Sequence, residues 1–139
     1  MSDFDAFLEI RRQAAQAYVN GKAGPLDQMV ATACPATFFP PLGGREEGAY
    51  RVADVYARDA GAFVEGGETV LEILHSDADG DLAYWTGLQH AKVRLVGHDE
   101  PIEMHLRITE LFRREDGAWK LIHRHADPLA KEKTEEKAG

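Results

Sequence analysis

The chain lacks several of the residues that would commit it to common functions. It has one cysteine, Cys34, in 139 residues. That excludes an intrachain disulfide and any CxxC redox or zinc motif, and nothing points to an oxidising compartment. Cys34 precedes Pro35 in an apolar neighbourhood and is read as a small core residue. Basic residues are outnumbered, 16 Lys and Arg against 24 Asp and Glu, for a formal net charge of −8. Nucleic acid demands a basic face, and an anionic membrane surface favours one too, so neither is an expected partner. No run of about 18 apolar residues could span a bilayer. The start, Met-Ser-Asp-Phe-Asp, lacks the basic and apolar regions of a secretory leader, so the expected location is the cytoplasm. No metal-ligand spacing and no cofactor motif stands out, and none is expected.

What is present is patterning. A length of 139 residues suits one domain, here 1–130, followed by a charged tail at 131–139 expected to be disordered. Folding at this size buries roughly 68–70% of the unfolded surface, enough for a core and a pocket. Residues 3–20 carry apolar positions at helical spacing (Phe4, Phe7, Leu8, Ala14, Ala15, Tyr18, Val19). A second helix is expected over 26–33 behind Gly24-Pro25, and a short strand over 36–39, stopped by Pro40-Pro41. A third helix is expected over 48–63, closed by Gly66-Gly67. From there the period changes from 3.6 to 2. Strands are expected over 69–76, 82–96, 102–114 and 119–126. Asp116-Gly117 between the last two is a strong hairpin signal, because glycine accepts the positive φ of the turn. Four strands joined by short turns form an antiparallel meander. Helices first and strands last indicate an α+β architecture, with helices on one face of the sheet.

This order resembles the nuclear transport factor 2-like fold, from about Asp3 to Leu129. The segments that carry the likeness are Ala36-Thr-Phe-Phe-Pro-Pro-Leu-Gly-Gly44, Asp81-Leu-Ala-Tyr-Trp-Thr-Gly87, and Arg107-Ile-Thr through Trp119-Lys-Leu-Ile-His-Arg-His125. The chain is most similar to the SnoaL-like and ketosteroid isomerase-like branch. It also resembles the association domain of calcium/calmodulin-dependent protein kinase II, which shares the Trp-x-x-x-His-x-His pattern. The resemblance implies a cone-shaped fold, N-terminal helices on a curved, mostly antiparallel sheet, a pocket at the open end, and homodimers paired through the sheet. Fold alone is weak evidence of function.

The resemblance also bears on chemistry. Pro40 stands where the isomerases carry their catalytic aspartate, and Ala14 or Ala15 stands near the place of their oxyanion tyrosine, with Tyr18 a turn further on. Ketosteroid isomerisation is therefore not expected. A cyclase, isomerase or hydratase using one pocket acid/base remains open, with His105, His123, His125 and Asp127 as candidates, since imidazole titrates near operating pH. His123-x-His125-x-Asp127 also invites a metal reading. Three ligands along one strand span roughly 13 Å at ~3.3 Å per residue, too far for one ion. The kinase association domain holds small carboxylates with arginines. Here one of those positions is Ala126 and another falls near Thr109, leaving Arg107 and Thr109, on one face with His105, as the candidate ligand-binding residues, with Arg107 to hold an anion. Trp85, Phe38 and Tyr56 are candidate pocket walls.

In an unbroken strand Trp119, Leu121, His123, His125 and Asp127 share one face, and Lys120, Ile122, Arg124 and Ala126 the other. A bulge would exchange them. The preferred reading is a homodimer that binds a small organic molecule in an apolar pocket. The alternatives are the enzyme just described and a homo-oligomeric assembly module without chemistry.

Overall fold

A computed structural model describes residues 2–33 and 35–131. The expectations for Cys34 and for most of the tail lie outside them. The elements run α1 (Asp3–Tyr18), α2 (Gly24–Asp27), β1 (Thr37–Phe39), β2 (Glu46–Glu47), α3 (Ala49–Ala60), β3 (Phe63–Asp79), β4 (Leu82–Leu95), β5 (Ile102–Glu115) and β6 (Ala118–Pro128). The six strands form one sheet in the order β2-β1-β6-β5-β4-β3. All neighbours are antiparallel except β1 and β6, which run parallel.

α1 begins with a capping box. The Ser2 hydroxyl accepts the Asp5 N–H, and the Asp5 carboxylate accepts the Ser2 N–H. Its buried stripe is Phe4, Leu8, Arg11, Ala14 and Ala15. Phe4 and Phe7 pack on Phe112, and Phe4 also meets Trp119 edge-on at 5.4 Å. That aromatic cluster pins α1 across the inner face of the sheet.

Three sequence expectations need correction. The second helix stops at Asp27 instead of running to residue 33. Leu121 N–H donates to the Met29 carbonyl at 2.7 Å and Ala31 N–H to the Leu121 carbonyl at 3.0 Å, so this segment is drawn out along β6. Its apolar residues are buried as an extended strip rather than as a helix face. The third helix ends at Ala60, and Gly66-Gly67 lies within β3. There the Asn20 side chain accepts both glycine N–H groups, and a Cβ on Gly67 would sit 2.7 Å from the Val19 carbonyl oxygen. The glycines mark the close approach of α1 to a strand, not a helix stop. The two-residue β2, without apolar alternation, was not anticipated.

The β5–β6 hairpin turns on Asp116 (φ 52°) and Gly117 (φ 81°), the paired positive φ values of a type I′ turn. Five residues beyond that turn, β6 carries a bulge. Phe112 pairs with Leu121 but Leu111 pairs with His123, leaving Ile122 as the extra residue. Before the bulge Trp119 and Leu121 face inward. After it Arg124 and Ala126 do, and His123, His125 and Asp127 face out.

Candidate functional site

The inner face of the sheet, α1 and α3 enclose a cavity of about 290 Å³. Its walls include Ala15, Val19, Leu26, Phe38, Tyr56, Phe63, Val93, Met104 and Leu106. This lies near the small end of the range for ligand pockets. Polar groups enter it at few points: Arg11, Arg124, Gln89, Asp59 and the two tyrosines Tyr18 and Tyr56.

Arg11 and Arg124 are held by one carboxylate. Glu110 occupies an inward position of β5 between Ile108 and Phe112 and is fully buried. Arg11 donates to it twice, from Nε at 2.9 Å and from Nη2 at 2.8 Å. Arg124 Nη1 donates at 2.6 Å, and Trp85 Nε1 at 2.7 Å. The second Arg124 amino group donates to Gln89 Oε1 at 2.7 Å, and Gln89 Nε2 donates to Thr69 Oγ1 at 3.1 Å. Burial alone would raise the Glu110 pKa. The two guanidiniums outweigh it and hold the carboxyl at about 2. Two cations against one anion leave this buried network with a net charge of +1.

Tyr18 Oη donates to the Tyr56 carbonyl at 3.0 Å. Tyr56 Oη is buried and has no hydrogen-bond partner among the described residues. Burial pushes the pKa of both phenols up, so both stay protonated. Asp59, half-exposed at the cavity edge, has its pKa raised by burial against the pull of Arg58.

The structure sorts the sequence candidates into two sets. Phe38 and Tyr56 line the cavity. Trp85 lies fully buried behind it, tied to Glu110. Arg107, Thr109, His105, His123, His125 and Asp127 all face out from the other side of the sheet. Arg107 there forms a bidentate pair with Asp127, at 2.7 and 2.9 Å. With Thr109 and His125 they line a shallower hollow of about 430 Å³. His123 Nδ1 meets Thr37 Oγ1 at 2.7 Å, and burial lowers its pKa, helped by His125. Pro41, beside the Pro40 that stands in the isomerase aspartate's place, sits at the cavity wall. Ala15 lines the cavity too, but the nearby Tyr18 hydroxyl is committed to backbone. Among the described residues, no three His, Cys, Asp or Glu side chains are placed to hold a metal ion. No helix among them is long and apolar enough to cross a membrane.

Arg11, Glu110 and Arg124 were not among the sequence candidates. Two of them could have been found. Arg11 falls on the helical stripe of Phe4, Leu8 and Ala15, and Glu110 sits at a core position of an alternating strand. A charge on an apolar stripe implies a buried partner. Arg124 could not, because only the bulge turns it inward.

A family model for the SnoaL-like domain matches residues 8–130. The chain belongs to the SnoaL-like family. No functionally curated protein matches this SnoaL-like chain. Among solved structures it is similar to a proposed dehydratase of the nuclear transport factor 2-like family from Streptomyces avermitilis. That match has 19% identity and a TM-score of 0.76, and covers 93% of this chain and 97% of the other. A proposed calcium/calmodulin-dependent protein kinase type II association domain from Thiobacillus denitrificans matches at 18% identity and TM-score 0.67, covering 91% and 94%. A proposed ketosteroid isomerase from Shewanella frigidimarina matches at 21% identity and TM-score 0.66, covering 86% and 92%. At these identities the matches establish the fold, the nuclear transport factor 2-like cone of helices on a curved sheet.

Proposed function

We propose that this SnoaL-like protein binds a small, mostly apolar organic molecule bearing one oxygen acceptor, a carboxylate or a carbonyl. The observation that carries the reading is the Tyr56 hydroxyl. It is buried at the wall of an apolar cavity with no partner among the described residues, close enough to the Arg11–Glu110–Arg124 network to interact with it electrostatically. An unpaired buried donor costs free energy, and a ligand acceptor would recover it. The net positive charge of the network favours an acceptor that is anionic or strongly polarised.

The experiment is thermal-shift and calorimetric titration with small aromatic and medium-chain carboxylates and ketones. A ligand at about 100 times its Kd should stabilise the fold by about 2.7 kcal/mol. Filling the cavity with Ala15→Phe should abolish the response. Arg107→Ala should leave it unchanged, because Arg107 lies across the sheet. No response from any such compound, or one that survives Ala15→Phe, would remove the cavity from the function.

A second reading has its own observation. Asp59 lines the cavity with its pKa raised, as suits a general acid/base. If the bound molecule is turned over, Asp59→Asn should abolish turnover while leaving binding within about threefold.

We also propose that the protein forms a homodimer through the outer face of the sheet. That face exposes Val70, Leu74 and the cross-strand pair Tyr84 and Leu111, and apolar side chains gathered on one face, unlike ones exposed singly, mark an interface.

A further inference from the structure

His90 and His105 stand directly opposite each other on β4 and β5, on the outer face of the sheet. Their rings are tilted by 60° with centroids 5.1 Å apart, so they meet through nitrogen rather than by stacking. The two Nδ1 atoms are 2.8 Å apart. His90 Nε2 lies 2.9 Å from Glu72 Oε1 on β3, and His105 Nε2 lies 3.5 Å from Glu103 Oε1.

These contacts constrain the protons. An ionised carboxylate only accepts, so a neutral His90 carries its proton on Nε2, toward Glu72, and its Nδ1 is a lone pair. His105 must then donate from its own Nδ1. A neutral His105 that does so turns its Nε2 lone pair toward Glu103, acceptor against acceptor. With the proton on Nε2 instead, Glu103 is satisfied and two lone pairs face each other at Nδ1. No neutral arrangement of the two rings satisfies every contact. A positive centre shared by the two Nδ1 atoms does, either an extra proton or a metal ion.

Distance and charge favour the metal. Two nitrogens about 2.0 Å from one ion are about 2.8 Å apart when they subtend a right angle, and about 3.3 Å apart at a tetrahedral angle. The observed 2.8 Å is the separation of neighbouring ligands on a tetragonal or octahedral ion. An imidazole bound to metal usually donates its other N–H to a carboxylate, and here a carboxylate stands at the far nitrogen of both rings. Around the pair, Glu68 and Glu72 on β3 and Glu103 on β5 face a single ammonium, Lys92 on β4, while Arg107 is matched by Asp127. Three carboxylates against one ammonium leave two negative charges. An extra proton halves that charge, and a divalent ion cancels it.

We propose that His90 and His105 bind a divalent transition-metal ion of the Cu²⁺ or Ni²⁺ class through both Nδ1 atoms, with Glu72 and Glu103 accepting from the far ring nitrogens. The two side chains are 34% and 45% exposed, so water reaches the remaining coordination positions. Two protein ligands, rather than three or four, make this an open, exchanging site. Both come from one chain, so the ion needs no second copy.

The test is calorimetric titration of the full chain with Cu²⁺ and with Ni²⁺ at about pH 7.5, where imidazoles are neutral, and electron paramagnetic resonance of the copper-loaded protein. The expected result is one tightly held ion per chain, its copper spectrum split by two nitrogens. His90→Gln, His105→Gln and Glu72→Ala should each weaken uptake by about tenfold or more, and circular dichroism should show that each variant folds. The double variant His123→Gln, His125→Gln should bind as the parent does. Equal uptake by the parent and folded His90→Gln, or loss of uptake in the His123, His125 variant, would mean an adventitious ion only and overturn the site. No uptake by the parent would overturn it too, and leave a shared proton between the rings.

Discussion

A carboxylate that accepts four hydrogen bonds has no lone pair left for a ligand. Glu110 is in that state, so it positions Arg124 and does not act as a base. Replacing it by Gln leaves two buried guanidiniums without their anion and should cost about 3–5 kcal/mol, measured by urea unfolding. Its pKa in the fold, about 2, lies below the ordinary 4.5. The stabilisation it gives is therefore complete above about pH 5 and is lost as pH falls toward 2. In the Gln variant that acid-induced loss should shrink. Tyr56 behaves in the opposite way. Its hydroxyl is buried without a partner among the described residues, so Tyr56→Phe should hold or raise stability, by up to about 1 kcal/mol. The same substitution should weaken binding of the acceptor-bearing ligand by about tenfold. A gain in stability with a loss of binding would separate a ligand group from a structural one.

At the scale of elements, the helix stripes and the meander were legible because each obeys one period over many residues. The Asp116-Gly117 turn was legible because its chemistry is local. The shortened α2, the two-residue β2 and the glycine pair within β3 were not. Each depends on a neighbour far away in sequence: β6 drawing out residues 29–31, and α1 pressing on Gly67. Gly87 belongs to the same class. A Cβ there would lie 2.0 Å from the Glu72 carbonyl oxygen, beside the register shift of β3 between Ile73 and His75. Gly87→Ala should therefore destabilise the sheet by about 3 kcal/mol, seen as a lowered urea midpoint with unchanged slope.

At the scale of the molecule, the two faces of one sheet carry different chemistry. The inner face holds a fixed positive network in an apolar hollow, and the outer face holds titratable rings among exposed apolar side chains. The family and the fold were readable from residue order and motif. The candidate site was readable only for Phe38 and Tyr56, whose aromatic walls need no register. Alternation puts His105, Arg107 and Thr109 on one side of β5 and His123, His125 and Asp127 on one side of β6, but that both sets share the outer side depends on the extra residue in β6. Whole-chain charge makes a further prediction. If copies pair through the outer face of the sheet, added salt screens the repulsion between their acidic surfaces. Pairing at about pH 8 should then tighten by a few-fold as salt rises from about 0.05 to about 0.5 M, measured by sedimentation.

Ile122, the residue that β5 leaves unpaired, has a consequence for comparison among relatives. A chain of almost the same composition, lacking a residue at this point, would present imidazoles to the hollow and guanidinium to the solvent. Two such proteins would look alike in any residue-by-residue tally and yet accept unlike molecules. Within this family, an insertion or deletion of one position in the final strand is therefore a better guide to a change of ligand than many substitutions elsewhere.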